Sequence, residues 1–217
     1  MDKAGFAQRL SEGASRLEVT LPDGIDERFW HLMEELLRWN ARVNLTAITE
    51  PEEVLEKHFL DSLAVLPEVG EATSLLDLGA GAGLPGIPLR LARPGLEVTL
   101  VDAVAKKVGF MKHAIAALGL APGARAVHTR AEGHPEAEGL PRTEVVISRA
   151  LMDFAAWARL GRAYLAPGGR LVAMLGQPLE HSQAEALCAE NALRLVSARE
   201  YQLPFSHASR QVLVAQP

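Results

Sequence analysis

Asp77-x-Gly79-x-Gly81-x-Gly83 is the stretch in which residue type and spacing point most directly to chemistry. An apolar run, Leu75-Leu76, leads into Asp77-Leu78, and glycine then falls at every second position. The apolar run reads as a buried parallel strand. The small residues after it let a ligand approach the backbone without meeting a Cβ. Pro85 has its φ preset for the first turn of a helix, which the pattern carries from about Leu84 to Ala92. A strand, a tight glycine loop and a helix form the opening unit of a nucleotide-type α/β fold.

Ligands of open α/β sheets bind outside the carboxyl ends of the strands. Asp102 ends a second strand, Glu97 to Val101, about 19 residues after Gly83. A carboxylate there offers two oxygens to the paired hydroxyls of a ribose. A short third strand, Ala126 to His128, leads to Arg130, Ala131 and Glu132. The Ala131 N–H and the Glu132 side chain suit the edge of an adenine. The fourth strand, Glu144 to Ser148, delivers Arg149. An arginine there can contact a cofactor, stack on a base, hold a phosphate or pair with a nearby acid.

The elements that position these residues alternate. A helix from about Val104 to Leu118 follows the second strand, and Gly119 suits its C-terminus. Residues 131–143 read as loop. A helix covers about Asp153 to Leu165, and Pro167-Gly168-Gly169 breaks it before a fifth strand, Arg170 to Leu175. A helix near Gln183–Asn191 and two strands, about Leu195–Arg199 and Gln211–Ala215, complete the set. The short link between those strands predicts antiparallel pairing. Upstream, Phe29, Leu32, Met33, Leu36 and Leu37 mark one face of a helix over 27–39, with Trp30 and Trp39 beside the stripe. Thr49-Glu50-Pro51-Glu52 reads as a capping box opening another helix. On it His58, Asp61 and Ser62 share a face, as a pocket wall or as a buried hydrogen-bond network. The expected organisation is an N-terminal helical extension, 1–70, packed as one unit with an α/β domain, 71–217.

The acid and the G-x-G-x-G spacing resemble motif I of the class I S-adenosylmethionine methyltransferases, whereas a dinucleotide loop reads G-x-G-x-x-G. That opposes an NAD-dependent oxidoreductase; a non-catalytic cofactor- or RNA-binding module stays open. Over about Trp39 to Val214 the chain further resembles one family, the glucose-inhibited division protein B or RsmG methyltransferases. Its marks are Trp39-Asn40…Asn44-Leu45-Thr46, His58-Phe59-Leu60-Asp61-Ser62, Leu76–Leu89, Val101-Asp102-Ala103…Lys106-Lys107-Val108…Phe110 and Ile147-Ser148-Arg149-Ala150. Leu84-Pro85-Gly86 with the His58…Asp61-Ser62 block is more specific than motif I alone.

The resemblance implies a class I, Rossmann-like methyltransferase fold with a mostly parallel seven-stranded sheet. It implies bacterial enzymes that transfer methyl from S-adenosyl-L-methionine to N7 of a guanine in the decoding-region loop of 16S ribosomal RNA. Guanine N7 carries a free lone pair, so in-line transfer driven by alignment needs no base or metal. The target base must be presented, by unstacking. The family's cofactor contacts fall on Gly79, Leu84, Ala131, Glu132 and Arg149; the residue-level reading adds Asp77, Gly81, Gly83 and Asp102. Candidates for guanine or RNA contact are Arg149, Lys106, Arg130, Arg210 and His58. The chain departs from the family at Leu175-Gly176, commonly Lys-Gly, and at Arg210-Gln211, commonly Arg-His.

Composition bounds the rest. The chain has 217 residues, 48% hydrophobic, with net charge −5. That balance argues against retention on nucleic acid by bulk electrostatics, and leaves room for a local basic face. Lys106, Lys107, Lys112, Arg125, Arg130, Arg142 and Arg149 are candidates for it. One cysteine, Cys188, excludes an internal disulfide, and no Cys/His cluster suggests zinc. No apolar run approaches the ~20 residues of a membrane helix. The N-terminus lacks a basic-then-apolar signal pattern. A cytoplasmic protein, favoured as a monomer, with small-subunit ribosomal RNA as partner, is the expectation.

Overall fold

The computed structural model describes residues 1–149 and 154–217. Its strands are β1 Ser74–Leu78, β2 Glu97–Asp102, β3 Ala124–His128, β4 Thr143–Arg149, β5 Leu165–Leu175, β6 Arg194–Gln202 and β7 Ser209–Gln216. They form one seven-stranded sheet of order β3-β2-β1-β4-β5-β7-β6 among the described residues. β1 to β5 pair in parallel. β7 runs against both β5 and β6. This is the mostly parallel sheet with an antiparallel end that the strand pattern predicts. Strand order reverses between β1 and β4, whose pairing sets Asp77 beside Ile147. The ends of these two strands, Leu78 and Arg149, therefore open the crevice in which such sheets bind ligands.

Alternation along each strand divides the core into two layers. Leu75, Val98, Leu100, Val145, Ile147, Val172 and Val214 face one side. Leu76, Val101, Val146, Leu171, Ala173, Leu213 and Ala215 face the other. The first layer is covered by α1 Lys3–Arg16, α2 Ile25–Val43, α3 (51–63), α4 Leu66–Val69, α5 Gly86–Ala92 and α6 Ala105–Ala117. α3 has three consecutive segments, Pro51–Val54, the π-helical Leu55–Leu60 and Asp61–Leu63. α7 Pro135–Glu138 precedes β4; α8 Phe154–Arg162 and α9 His181–Glu190 cover the second layer.

The N-terminal helices meet through aromatic rings. Phe59 of α3 lies 5.2 Å from Phe29 and 6.4 Å from Phe6, and Phe6 meets Trp30 edge-on at 5.4 Å. Trp39 packs on Phe110 and His113 of α6. Three carboxylates then fasten α3 and α4 to the β6–β7 hairpin. Glu56 accepts the Phe205 and Ser206 N–H groups, each at 2.7 Å. Asp61 accepts the Tyr201 hydroxyl at 2.9 Å. Glu68 pairs with Arg199 through two bonds of 2.7 and 2.9 Å.

The local reading is corrected at five places. α1 has no counterpart among the expected elements. Thr49 is not a cap: Glu50 occupies that position and Pro51, which has no N–H to satisfy, opens the helix. α5 begins at Gly86 rather than Leu84, because the Asp77 carboxylate receives the Gly86 N–H at 2.8 Å and fixes the helix start. The 131–143 loop contains α7. Pro167-Gly168-Gly169 does not precede β5 but bulges within it: Thr143 pairs with Leu165 and Val145 with Arg170. The expected start of α8 at Asp153 lies outside the described residues.

Asp77 is wholly buried, one of its oxygens has no partner, and the closeness of Gly86 to it depends on the missing side chain. A Cβ on Gly86 would come within 2.3 Å of Leu100 Cδ2 and 3.0 Å of Asp77 Oδ2. Burial pushes the Asp77 carboxyl up to about 7, against the Gly86 N–H and Arg149, which favour the charged form. Asp77 thus holds its proton more tightly folded than unfolded. Its contribution to stability is fully present below its ordinary value of 3.8 and is lost as pH rises through about 7. Asp77→Asn should remove that portion of the decline in thermal stability between pH 4 and pH 7, as measured by calorimetry. Parallel pH profiles for the two proteins would contradict this origin.

Candidate active site

The loop between β1 and α5 is held from β2. Gly79 and Ala80 donate their N–H groups to the Val101 carbonyl at 2.8 and 2.9 Å. Gly81 donates to Asp102 Oδ2 at 3.0 Å, while Asp102 Oδ1 accepts the Val104 N–H at 2.8 Å. Gly81 has φ +59°, and a Cβ there would find only the Gly79 carbonyl, 3.9 Å away. The loop therefore presents bare backbone to an adjoining cavity of about 510 Å³. That volume lies within the range of cofactor pockets, about 300–1,000 Å³. Leu78, Gly79, Ala80, Gly81, Ala82 and Leu84 form one wall. Val101, Asp102, Ala103 and Lys107 form the second, Thr129, Arg130 and Ala131 the third, and Leu160 of α8 also lines it. Leu45, Thr46, His58 and Arg149 close it from α3 and the β4 end.

Thr46 reaches the cavity because Asn40 folds the chain after α2. The Asn40 side chain accepts the Leu45 and Thr46 N–H groups at 2.6 and 2.9 Å and donates to the Thr46 carbonyl at 2.9 Å. Asn44, at φ 55°, ends the helix in the left-handed conformation that asparagine tolerates. Thr46 Oγ1 then lies 2.9 Å from His58 Nε2 and accepts the Ile48 N–H.

His58 and Arg149 also line a second, adjoining cavity of about 450 Å³, with Lys57, Asp61, Met174, Leu175, Tyr201 and Arg210 among its walls. Arg149 donates to the Lys57 carbonyl at 2.9 Å, within the π-helical segment, and approaches Asp61 at 3.5 Å. Arg210 lies 3.6 Å from the other Asp61 oxygen. Burial pushes Asp61 up, opposed by Arg149, Tyr201 and Arg210. Burial and then the Arg149 charge push His58 down to about 4, so the ring is neutral at physiological pH. A fixed cation and a neutral imidazole therefore stand where the two cavities meet.

The structure gathers Gly79, Gly81, Leu84, Asp102, Arg130, Ala131, Arg149 and His58 around the first cavity. Others lie elsewhere. Asp77 sits beneath the loop, and Gly83 packs its backbone against Ile87. The Glu132 side chain is exposed, and its N–H is bound by Glu138 at 2.9 Å. Lys106 is exposed one residue before Lys107, which lines the cavity in its place. Arg210 belongs to the second cavity, whose wall includes Leu175. Gln211 is buried and clips the Leu179 backbone through two bonds of 3.0 Å. Thr46, Lys107, Thr129 and Leu160 were not among the expected site residues; the Asn40…Thr46 spacing was the signal for the first of these.

A family model described as rRNA small subunit methyltransferase G matches residues 25–214. The chain belongs to this family. It is 61% identical over 214 residues to the ribosomal RNA small subunit methyltransferase G of Myxococcus xanthus, covering 99% of this chain and 98% of that one. It is 48% identical to that of an Anaeromyxobacter species, covering 95% of each chain. Among solved structures, an S-adenosylmethionine-dependent methyltransferase from Aquifex aeolicus has TM-score 0.59 at 15% identity, covering 79% of this chain and 96% of that one. The fold is that of the class I methyltransferases. No helix among the described residues is long and apolar enough to cross a membrane.

Arg149→Ala removes the second-largest cause that holds His58 down. The His58 midpoint, followed by NMR of its ring, should then rise from about 4 toward the ordinary histidine value of 6.5. An unmoved midpoint would separate the two residues electrostatically.

Proposed function

We propose that this protein transfers a methyl group from S-adenosyl-L-methionine to N7 of a guanine in the decoding-region loop of 16S ribosomal RNA. The observation that carries this reading is the pair of adjoining cavities sharing His58 and Arg149. The first has the chemistry an adenosine requires. Each Asp102 oxygen already accepts one backbone N–H, from Gly81 or Val104, and keeps a second lone pair for the ribose diol, while Gly79 to Gly81 admit a ligand to the backbone. Leu78, Leu84, Val101 and Leu160 supply apolar surface for the base and methionyl chain. The Ala131 N–H is a donor at its edge, meeting no acceptor among the described residues. The residues fit the cofactor, whose sulfonium, when bound, supplies an already activated methyl.

The second cavity receives the guanine. Arg149, Arg210 and Lys57 surround it with positive charge, and Asp61 restrains two of those groups from below. Such donors suit the O6 edge of guanine and the phosphates flanking a flipped nucleotide. The base lone pair is free at neutral pH, so no side chain has to remove a proton. His58 and Arg149 align the two partners, and alignment is the main source of rate. Arg130, Lys106 and Lys107 extend the basic surface along the RNA. Glu56 and Asp61 of α3 are buried against the hairpin.

Two experiments test the reading. Gly81→Asp adds a side chain to the cavity face and a second carboxylate beside Asp102, on a residue whose positive φ disfavours any side chain. Calorimetry should show S-adenosylhomocysteine affinity falling by roughly a hundredfold or more, about 2.7 kcal/mol; retained affinity would locate the cofactor elsewhere. Small ribosomal subunits and naked 16S RNA treated with enzyme and donor should become cleavable by borohydride and aniline at one decoding-region guanine. Methylation at another atom or nucleotide would overturn the assignment.

A further inference from the structure

The segment after β3 reaches the cavity at Thr129, Arg130 and Ala131 and then leaves the surface of the sheet. Its next three residues all surrender their N–H groups to two side chains. Glu138 Oε1 accepts the Glu132 N–H at 2.9 Å and the His134 N–H at 3.0 Å. The Tyr164 oxygen accepts the Gly133 N–H at 2.8 Å. The Tyr164 hydroxyl donates to Glu138 Oε2, which joins the two side chains into one clamp. Burial and the Glu138 carboxylate push Tyr164 up to about 12, so it keeps the proton it donates. Tyr164 is fully buried in the turn between α8 and β5, four residues after the cavity residue Leu160. Gly133 has φ +94°, which turns the chain so that consecutive N–H groups converge on the clamp. A further tie runs from Arg142 to the Ala163 carbonyl at 2.6 Å.

We propose that Glu138 and Tyr164 are positioning residues for the methyl donor: by capturing the N–H groups of residues 132, 133 and 134 they fix the preceding peptide, so that the Ala131 N–H stands at the cavity edge for a ring nitrogen of the donor's purine. This rests on the first cavity being the donor site. Neither residue lines that cavity, so their effect passes through the loop. Three loop donors fold onto the clamp, and the next N–H upstream meets no acceptor among the described residues. A loop without the clamp would keep its sequence and lose this register. The ligand class follows: a heteroaromatic base with an acceptor nitrogen in its plane, matched by a single backbone donor rather than by a charged side chain.

The test uses the full-length protein, S-adenosylhomocysteine and S-adenosylmethionine as probes, and the variants Glu138→Ala, Glu138→Gln and Tyr164→Phe. Glu138 is only partly buried, so Glu138→Ala should leave the fold intact, shown by an unchanged circular dichroism spectrum. Its dissociation constant for S-adenosylhomocysteine should rise roughly tenfold, the loss expected of one charge-assisted network. KM for the donor should rise with it, while kcat and KM for RNA stay near wild type. Glu138→Gln keeps an acceptor for the two N–H groups and should restore most of the affinity. Amide exchange at residues 132–134 should accelerate in Glu138→Ala and Tyr164→Phe, which reads the clamp directly. Unchanged donor affinity in both of those variants, or a loss in kcat and RNA KM equal to that in donor KM, would overturn the proposal. If wild-type protein binds neither probe, the donor-site reading itself fails and takes the inference with it. Binding by wild type with no discrimination among variants removes the inference alone.

Discussion

Two buried carboxylates hold the glycine loop, and the rest of the site is arranged around that arrangement. A loop without side chains leaves its N–H groups in need of acceptors. Gly79 and Ala80 find the Val101 carbonyl, Gly81 finds Asp102 and Gly86 finds Asp77. The cost falls on Asp77. Burial first, with a small addition from the Asp102 charge, pushes the Asp77 carboxyl up to about 7. In exchange, the ends of β1 and β2 and the start of α5 are locked in one register. A ligand approaching the loop meets backbone already satisfied on its inner side, with the outer side bare.

A comparable constraint joins the N-terminal helices to the far end of the sheet. Glu56, Asp61 and Glu68 reach the β6–β7 hairpin, and Arg149 reaches back from β4 to the Lys57 carbonyl and Asp61. The π-helical segment is where this happens: its Lys57 and His58 carbonyls accept side-chain donors, from Arg149 and Ser62. The buried polar network places His58 and Arg149 on the boundary of two cavities. Without α3 the crevice at the β1–β4 switch would have one wall fewer and no second cavity. Glu56, Asp61 and Glu68 thus serve as structural ties between the helices and the hairpin.

What was legible in the sequence follows from range. Strand and helix patterns repeat within a few residues, so the alternation and the strand-end residues Gly79, Gly81, Asp102, Ala131 and Arg149 could be read directly. α1 was missed although Phe6, Leu10 and Ala14 carry the spacing of one buried helical face. Thr49 was misread because a capping pattern competes with the stronger preference of Pro51 for the first helical position. Lys107, rather than Lys106, lines the cavity because helix rotation, which a strand-end survey ignores, decides which of two adjacent lysines faces inward. Glu138 with Tyr164 and Asp61 with Tyr201 are separated by 26 and 140 residues and leave no periodic trace. Only folding brings such pairs together.

In the proposed function, donor and guanine occupy adjoining cavities that meet at His58 and Arg149. A crystal structure of the protein with S-adenosylhomocysteine and a short RNA carrying the target guanine tests it most directly. The homocysteine sulfur should lie against the Gly79–Gly81 backbone, the ribose on Asp102, and the guanine among Lys57, Arg149 and Arg210 with N7 facing the sulfur. A guanine bound on another face, or a cofactor outside the glycine loop, would contradict it.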